Sequence, residues 1–295
     1  MPLSLPTEEP TQSAFPPFGT LFVVATPIGH MEDITLRAIR TLKEVDLIAA
    51  EDTRQTRKLL TRHKVSTRLV SYHDHNKEKR TPGLLGKLKA GTSIALVTDA
   101  GTPSISDPGH YLVREAIREA VSVVPIPGAS AIIAALSVSG LATDSFVFIG
   151  FVPRKPGKRR ALLDRLKWEP RTLIFYESPH RLVGLMNEIL GVMGDRRAVT
   201  ARELTKLHEE ILRGPLSRMV KEMSASPPVK GECTLLVAGR ESGGEIDRES
   251  IQNHLRRLHH EQDSSLSDLV KEVAREYGLP KRVVYEEALK LKKGG

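Results

Sequence analysis

Short apolar runs alternate with amphipathic stretches along the first half of the chain. Runs at 21–25, 45–50, 67–71, 94–98 and 121–124 predict strands, and the segments between them near 34–44, 53–62, 81–89 and 108–120 predict helices. Strands separated by helices in this way build a parallel α/β layer. A turn at PGASA and a helix over 129–138 lead into a second α/β unit. Its predicted strands are 146–151, 172–176, 198–201 and 233–238, and its helices lie near 157–167 and 179–190. The last fifty residues change character. Helical periodicity near 247–262, 265–277 and the final segment, broken at Gly278-Leu279-Pro280, has the shape of a helix-turn-helix. The expected organisation is a disordered segment over 1–18, α/β domains over 19–127 and 128–243, and an all-helical, helix-turn-helix-like extension over 244–295.

The densest chemical signal follows the apolar run IALV at 94–97. There the string DAGTPSISDPG at 99–109 places two aspartates, two prolines and several small residues at a strand end. Open parallel sheets bind ligands beyond the carboxyl ends of their strands, where Gly and Pro let the backbone approach a small molecule. An ordinary turn stabilised by its own Asp and Ser side chains fits the same string. Related loops follow three other strands: TPIG at 26–29, PIPGASA at 125–131 and YESPHR at 176–181. Four such strand ends favour a ligand site over four independent turns.

Composition narrows the class. The 295 residues exceed what one core usually fills, and 40% hydrophobic content suits a globular chain. Cys233 is the single cysteine, which excludes an intramolecular disulfide and any multi-cysteine zinc site; it is expected to pack as a small apolar residue in CTLLVAG. No apolar run approaches a membrane span, and the first residues lack a signal-peptide pattern, so a cytoplasmic protein is expected. Residues 19–127 carry 16 basic and 12 acidic residues and 128–243 carry 18 and 12, whereas 244–295 balance at ten each. The basic excess therefore lies in the two middle domains. Its densest part is RKPGKRR at 154–160, read as a mobile loop because of Pro156 and Gly157, and it suits a polyanion as well as it suits solvent.

The ordered blocks TPIG, EDTR at 51–54, SYHDHN at 71–76, DAGTPSISDPG, PGASA, SGLATDSFVFIGFVP, FYESPHR, ARELTKLHEE at 201–210 and GECTLLV together resemble the tetrapyrrole-methylase superfamily over about residues 19–242. Within it they are similar to the bacterial branch that methylates the ribose 2′-oxygen of a decoding-centre cytidine in 16S ribosomal RNA. That resemblance implies S-adenosylmethionine as donor, bound in a cleft between the two α/β domains. Carried over by position, the donor pocket takes Pro27, Asp99, Ala100, Gly101, Pro103 and Ile105, then Ser130, Ala131 and Phe151, with Arg202, Glu203 and Leu204. The resemblance also implies a homodimer; 16S ribosomal RNA within the assembled small ribosomal subunit is the expected partner, with naked RNA left open. His30, Lys77 and Ala129 depart from the expected pattern.

A ribose hydroxyl becomes a nucleophile only as its proton is removed. Glu177 and Glu203 are the favoured acceptors, with Glu51, Asp52, Lys206 and His208 as further candidates. An ion pair of Glu177 with Arg181, or of Glu51 with Arg54, explains those residues equally well. For RNA the cationic residues are Arg54, Arg57 and Lys58 on one helix face, Arg154, Lys155, Lys158, Arg159 and Arg160 in the basic run, and Lys281 and Arg282 in the extension. Phe151, Trp168 and Tyr176 are the rings available for stacking, with core packing the competing use. His73 and His75 share a strand face, yet with no cysteine beside them no metal is expected. Two rival functions remain open on the residues alone: a small-molecule methylase of the same superfamily, and a non-enzymatic RNA-binding protein that keeps the fold.

Overall fold

A computed structural model describes residues 18–225, 231–240, 248–261, 265–277, 279 and 281–293. The segment 1–18 lies, but for its last residue, outside them, as do Gly278 and Pro280. The chain divides into two compact units, 1–130 and 131–295.

In the first unit the predicted alternation is realised. Strands β1 (Thr20–Val24), β2 (Leu47–Ala50), β3 (Leu69–Ser71), β4 (Ile94–Val97) and β5 (Ser122–Ile126) form one sheet in the order β3-β2-β4-β1-β5. All four pairings are parallel. Every residue of β2 and β4 is buried, because helices cover both faces. Helices α1 (Leu36–Glu44) and α2 (Thr53–Arg62) contribute Ala38, Leu42, Leu59 and Leu60 to one core layer with Val24, Ile48, Ala95 and Val97. Helices α3 (Lys77–Lys89) and α4 (His110–Arg118) close the other face through Leu84, Leu88, Leu112 and Ala116. Pro82 made the sequence reading start α3 four residues late. The helix runs through the proline, starting beside Asn76, and the Thr81 hydroxyl donates to the Lys77 carbonyl at 2.7 Å.

The second unit holds a mixed sheet. Strands β6 (Phe146–Phe151), β7 (Thr172–Glu177), β8 (Arg197–Arg202), β9 (Glu210–Pro215) and β10 (Cys233–Val237) are ordered β6-β7-β10-β8-β9. Only β6 and β7 pair in parallel; the other three pairings are antiparallel. The carboxyl ends of β6, β7 and β8 thus share one sheet edge with the start of β10. Helix α5 (Ala131–Ser137) opens the unit, and α6 (Pro156–Leu166), α7 (Pro179–Met193) and α8 (Leu216–Ser224) bury Leu163, Leu182, Leu185, Met186, Leu216 and Met219 against Phe175 and Leu235.

The sequence reading passed over β9 and α8. The apolar positions Leu216, Met219, Val220 and Met223 carry the helical spacing that marks α8. It also cast 154–160 as a mobile loop, and the structure corrects this. Pro156 takes the first helical turn of α6, where its fixed φ and missing N–H cost nothing.

Helices α9 (Arg248–Glu261), α10 (Leu266–Tyr277) and α11 (Lys281–Lys293) make a separate small core through Ile251, Leu255, Val273 and Val284. Trp168 joins that core. Its ring stacks on Tyr277 with centroids 4.5 Å apart and carries the Arg240 guanidinium 3.9 Å from its centre, so its use is packing. Cys233 is buried in β10, and burial pushes its thiol up to about 11. No helix among the described residues is long and apolar enough to cross a membrane.

Candidate functional site

At the carboxyl edge of the first sheet, four strand ends are tied together. Thr26, past β1, and Gly101, past β4, exchange backbone hydrogen bonds at 2.9 and 3.1 Å. The Thr26 hydroxyl donates to the Thr98 carbonyl at 3.0 Å. Past β2, Glu51 accepts through one oxygen, Oε2, from the Thr98 hydroxyl at 2.5 Å and from the Asp99 N–H at 3.3 Å. In return Asp99 Oδ1 accepts from the Asp52 N–H at 3.1 Å. The Thr102 hydroxyl donates to the Ala129 carbonyl past β5, at 3.4 Å. Pro27, Gly101 and Pro103 are buried in this network, Ala100 and Ser130 are half-buried, and Ile105 is exposed.

The loop takes a conformation that ordinary residues avoid. Gly101 has φ +84°, and Ser104 and Ser106 have φ 75° and 62°. Gly109 closes the loop at φ +144°, where a Cβ would meet Ser104 Oγ at 2.9 Å and Leu96 Cδ2 at 3.0 Å. Strain of this kind gathers at ligand sites. The Ser104 hydroxyl is buried and makes no hydrogen bond among the described residues. Burial raises the Asp99 carboxyl above the usual carboxylate range, the Asp52 N–H opposes this, and the neighbouring Glu51 and Asp52 charges add to the rise. Thr26, Thr98 and Ser104 were not singled out from the sequence; nothing in their spacing announces a hydroxyl that joins two strand ends.

The ion pair of Glu51 with Arg54, the alternative use for that carboxylate, is not formed. Arg54 instead forks onto Asp52, the residue that caps α2, with a closest approach of 2.7 Å, because the cap geometry turns that carboxylate toward the first helical turn. Arg57 and Lys58 stand exposed beyond it. His73 and Asn76, past β3, bond to each other at 3.1 Å, and His30 caps a short turn by accepting from the Glu32 N–H.

In the second unit the shared edge carries Phe151, Glu177, Cys233 and Arg202 in adjacent registers. Phe151 is 60% exposed and packs at 5.7 Å against Tyr176, which gives the edge an apolar lip. Ala131 starts α5, and Leu204 is buried. Glu203 has φ 51° and lies over Gly231, whose φ of +118° and missing Cβ make room for its carboxylate. Lys206 bonds Glu203 at 2.8 Å and Glu232 at 3.0 Å, and that lysine holds the Glu203 carboxyl below the usual range. Arg202 pairs with Glu210 at 3.0 Å, and His208 is exposed.

Glu177 is buried and meets Arg181 at 3.1 Å, so the ion-pair alternative for it is realised. The two favoured proton acceptors are thus both paired with cations. Arg159 is also committed. It forks onto Glu188 and donates to the Pro153 and Arg154 carbonyls, with its side chain only 15% exposed, which takes it out of the cationic surface. Arg160 pairs with Asp164 at 3.2 Å, and Arg154, Lys155 and Lys158 remain exposed. Lys281 is exposed, as is Arg282, which pairs with Glu286.

Residues 20–220 match the family model of the Tetrapyrrole (Corrin/Porphyrin) Methylases. A ribosomal RNA small subunit methyltransferase I from Halalkalibacterium halodurans is 50% identical over 273 residues, covering 90% of this chain and 93% of that one. A relative of the same name from Synechocystis is 47% identical, covering 94% and 100%. Among solved structures, a uroporphyrin-III C-methyl transferase from Thermus thermophilus complexed with S-adenyl homocysteine superposes with a TM-score of 0.54 at 22% identity, over 75% of this chain and 97% of that one. The last likeness concerns the fold.

Proposed function

The chain belongs to the tetrapyrrole (corrin/porphyrin) methylases, and from that membership we propose that it transfers a methyl group from S-adenosylmethionine to small-subunit ribosomal RNA. The acceptor in this reading is the ribose 2′-oxygen of a cytidine in 16S RNA, within the small ribosomal subunit, and the enzyme works as a cytoplasmic homodimer. The observation that carries it is the length of the likeness. Relatives named for ribosomal RNA match at 47–50% identity over nine-tenths of the chain, more than the 20–220 shared with the whole family.

The first unit's strand-end loops suit the donor. Backbone groups around Gly101 and the Asp99 carboxylate offer acceptors for an amine or for ribose hydroxyls, and the buried Ser104 hydroxyl is a polar group still to be satisfied. Pro27, Ala100, Pro103, Ile105 and Ser130 complete that wall, and the resemblance adds Ala131, Phe151, Arg202, Glu203 and Leu204. When bound, the donor supplies a methyl group on a sulfonium whose charge disappears on transfer, so a pocket poor in competing charge favours the transition state.

The acceptor hydroxyl must lose its proton as the new oxygen–carbon bond forms. We assign that proton to Glu51. Thr98 and the Asp99 N–H hold Oε2, which fixes the carboxylate and leaves Oε1 to accept. Glu203 is weakened as a base by Lys206, and Glu177 is engaged in its ion pair with Arg181. Arg54, Arg57, Lys58, Arg154, Lys155 and Lys158 supply phosphate contacts, with Lys281 and Arg282 as outlying ones.

The deciding experiment follows labelled methyl transfer from S-adenosylmethionine to undermethylated small subunits, naked ribosomal RNA and uroporphyrinogen. Label in 2′-O-methylcytidine is expected, and label only in the tetrapyrrole would overturn the reading. Light scattering on the purified protein tests the dimer.

A further inference from the structure

Between α6 and α7 of the second unit lies a cavity of about 170 Å³, open to solvent on one side. That is far more than the roughly 10–15 Å³ that one water requires. Arg159, Glu177, Arg181, Gly184 and Glu188 line it, with Leu185 as its apolar wall.

Three features of the lining need a reason. Glu177 is 2% exposed, and its Oε2, although in ionic contact with Arg181, is buried and accepts no hydrogen bond. A buried carboxylate oxygen that accepts no aligned hydrogen bond is costly. Arg181 uses Nη2 for Glu177 and for the Val152 carbonyl, and its Nε and Nη1 make no hydrogen bond among the described residues. Gly184 stands in the middle of the fifteen-residue α7, where glycine is a poor helix former, yet a Cβ there would meet nothing within 4 Å. Packing does not demand this glycine. Its effect is to keep the cavity open.

The donors and acceptors on offer are unequal. Arg159 spends its guanidinium on Glu188 and two carbonyls, so the arginine with free N–H groups is Arg181; it faces Glu177, whose Oε2 accepts no hydrogen bond, and Glu188, whose oxygens each take one N–H from Arg159 and can each accept another. A ligand that answers this set brings a group with two N–H bonds and, beside it, an acceptor for Arg181. We propose that this cavity receives the amino-bearing edge of a nucleobase, with Glu177 accepting from the exocyclic amino group and Arg181 donating to the neighbouring ring nitrogen or carbonyl. Guanidinium and carboxylate pairs read base edges in this manner. Leu185 lies against the ring, and a base turned out of its stack is within the cavity's size. The proposal rests on the RNA reading above and deepens it, since uracil, with one N–H on that edge, is disfavoured.

The test uses the full chain saturated with S-adenosylhomocysteine, so that nucleotides cannot occupy the donor site. Binding of cytidine 5′-monophosphate, uridine 5′-monophosphate and N4,N4-dimethylcytidine 5′-monophosphate is followed by NMR. The cytidine nucleotide should bind roughly ten-fold or more tightly than the other two. Gly184→Leu, which fills the cavity without touching a polar group, should erase that preference and leave S-adenosylhomocysteine affinity unchanged. Glu177→Gln should reduce the preference while circular dichroism shows an intact fold. Equal binding of the three nucleotides, binding of none, or a preference that survives Gly184→Leu would each overturn the proposal. Failure of the parent reading shows separately, as absence of methyl transfer to small subunits by the unaltered protein.

Discussion

Asp52 and Asp99 sit at the ends of neighbouring strands, and the backbone N–H of the first donates to the carboxylate of the second at 3.1 Å. The bond orients Asp99 while partial burial and two nearby carboxylates raise its pKa. Asp99→Ala should remove the donor's polar anchor and weaken S-adenosylhomocysteine binding roughly ten- to hundred-fold, the range for a hydrogen bond to a charged group. Calorimetry on the variant checks this, and wild-type affinity would remove Asp99 from the donor site.

The partner residue predicts an acid response. Arg54 pulls the Asp52 carboxyl down from 3.8 to about 2, mainly through its side-chain hydrogen bond. A folded pKa below the unfolded one favours the folded state fully above 3.8, and the contribution is lost as pH falls toward 2. Urea denaturation of the native chain and of Arg54→Ala should therefore differ most at neutral pH and converge at about pH 2. A gap that widens on acidification would contradict the assignment.

Cations of the basic run divide by their partners. Lys155→Ala and Lys158→Ala, both exposed, should each reduce the slope of log affinity for RNA against log salt by about 1 and leave stability alone. Arg159→Ala should instead cost about 1–2 kcal/mol of stability, between an exposed and a buried ion pair, because Glu188 loses its fork. Filter binding over a salt series and thermal melts separate the two behaviours.

Trp168 is where the helical extension meets the rest of the second unit, between Arg240 and Tyr277. Trp168→Ala should cost about 2–4 kcal/mol in that small core, since a large ring is removed with no neighbour to replace it. Limited proteolysis within α9–α11 is expected to run faster in the variant than in the native chain. Equal cutting rates would show that α9–α11 hold without the ring.

Much of the fold was legible because its cause is local. Parallel strands buried on both faces must be continuous apolar runs, so β2 and β4 stood out, and the helices beside them showed their own period. Strand β9 escaped because it lies at the edge of the sheet, half-exposed, where no continuous apolar run marks it, whereas α8 was passed over although its apolar positions carry helical spacing. Pro82 hid the first turn of α3, since a proline reads as a boundary until the packed helix is seen to run through it.

The chemistry divides along the same line. Sequence alone determined that Asp99, Gly101 and Glu51 stand at strand ends, because order along the chain fixes which residues follow each apolar run. The tertiary structure decided who partners whom: Arg54 with Asp52 rather than Glu51, Arg159 with Glu188 rather than with a ligand, and Thr98 with Glu51 from 47 residues away. The first pair depends on the cap geometry of α2, the other two on distances between helices and across the sheet. A carboxylate's choice among several cations is made only when packing brings one of them within hydrogen-bond reach.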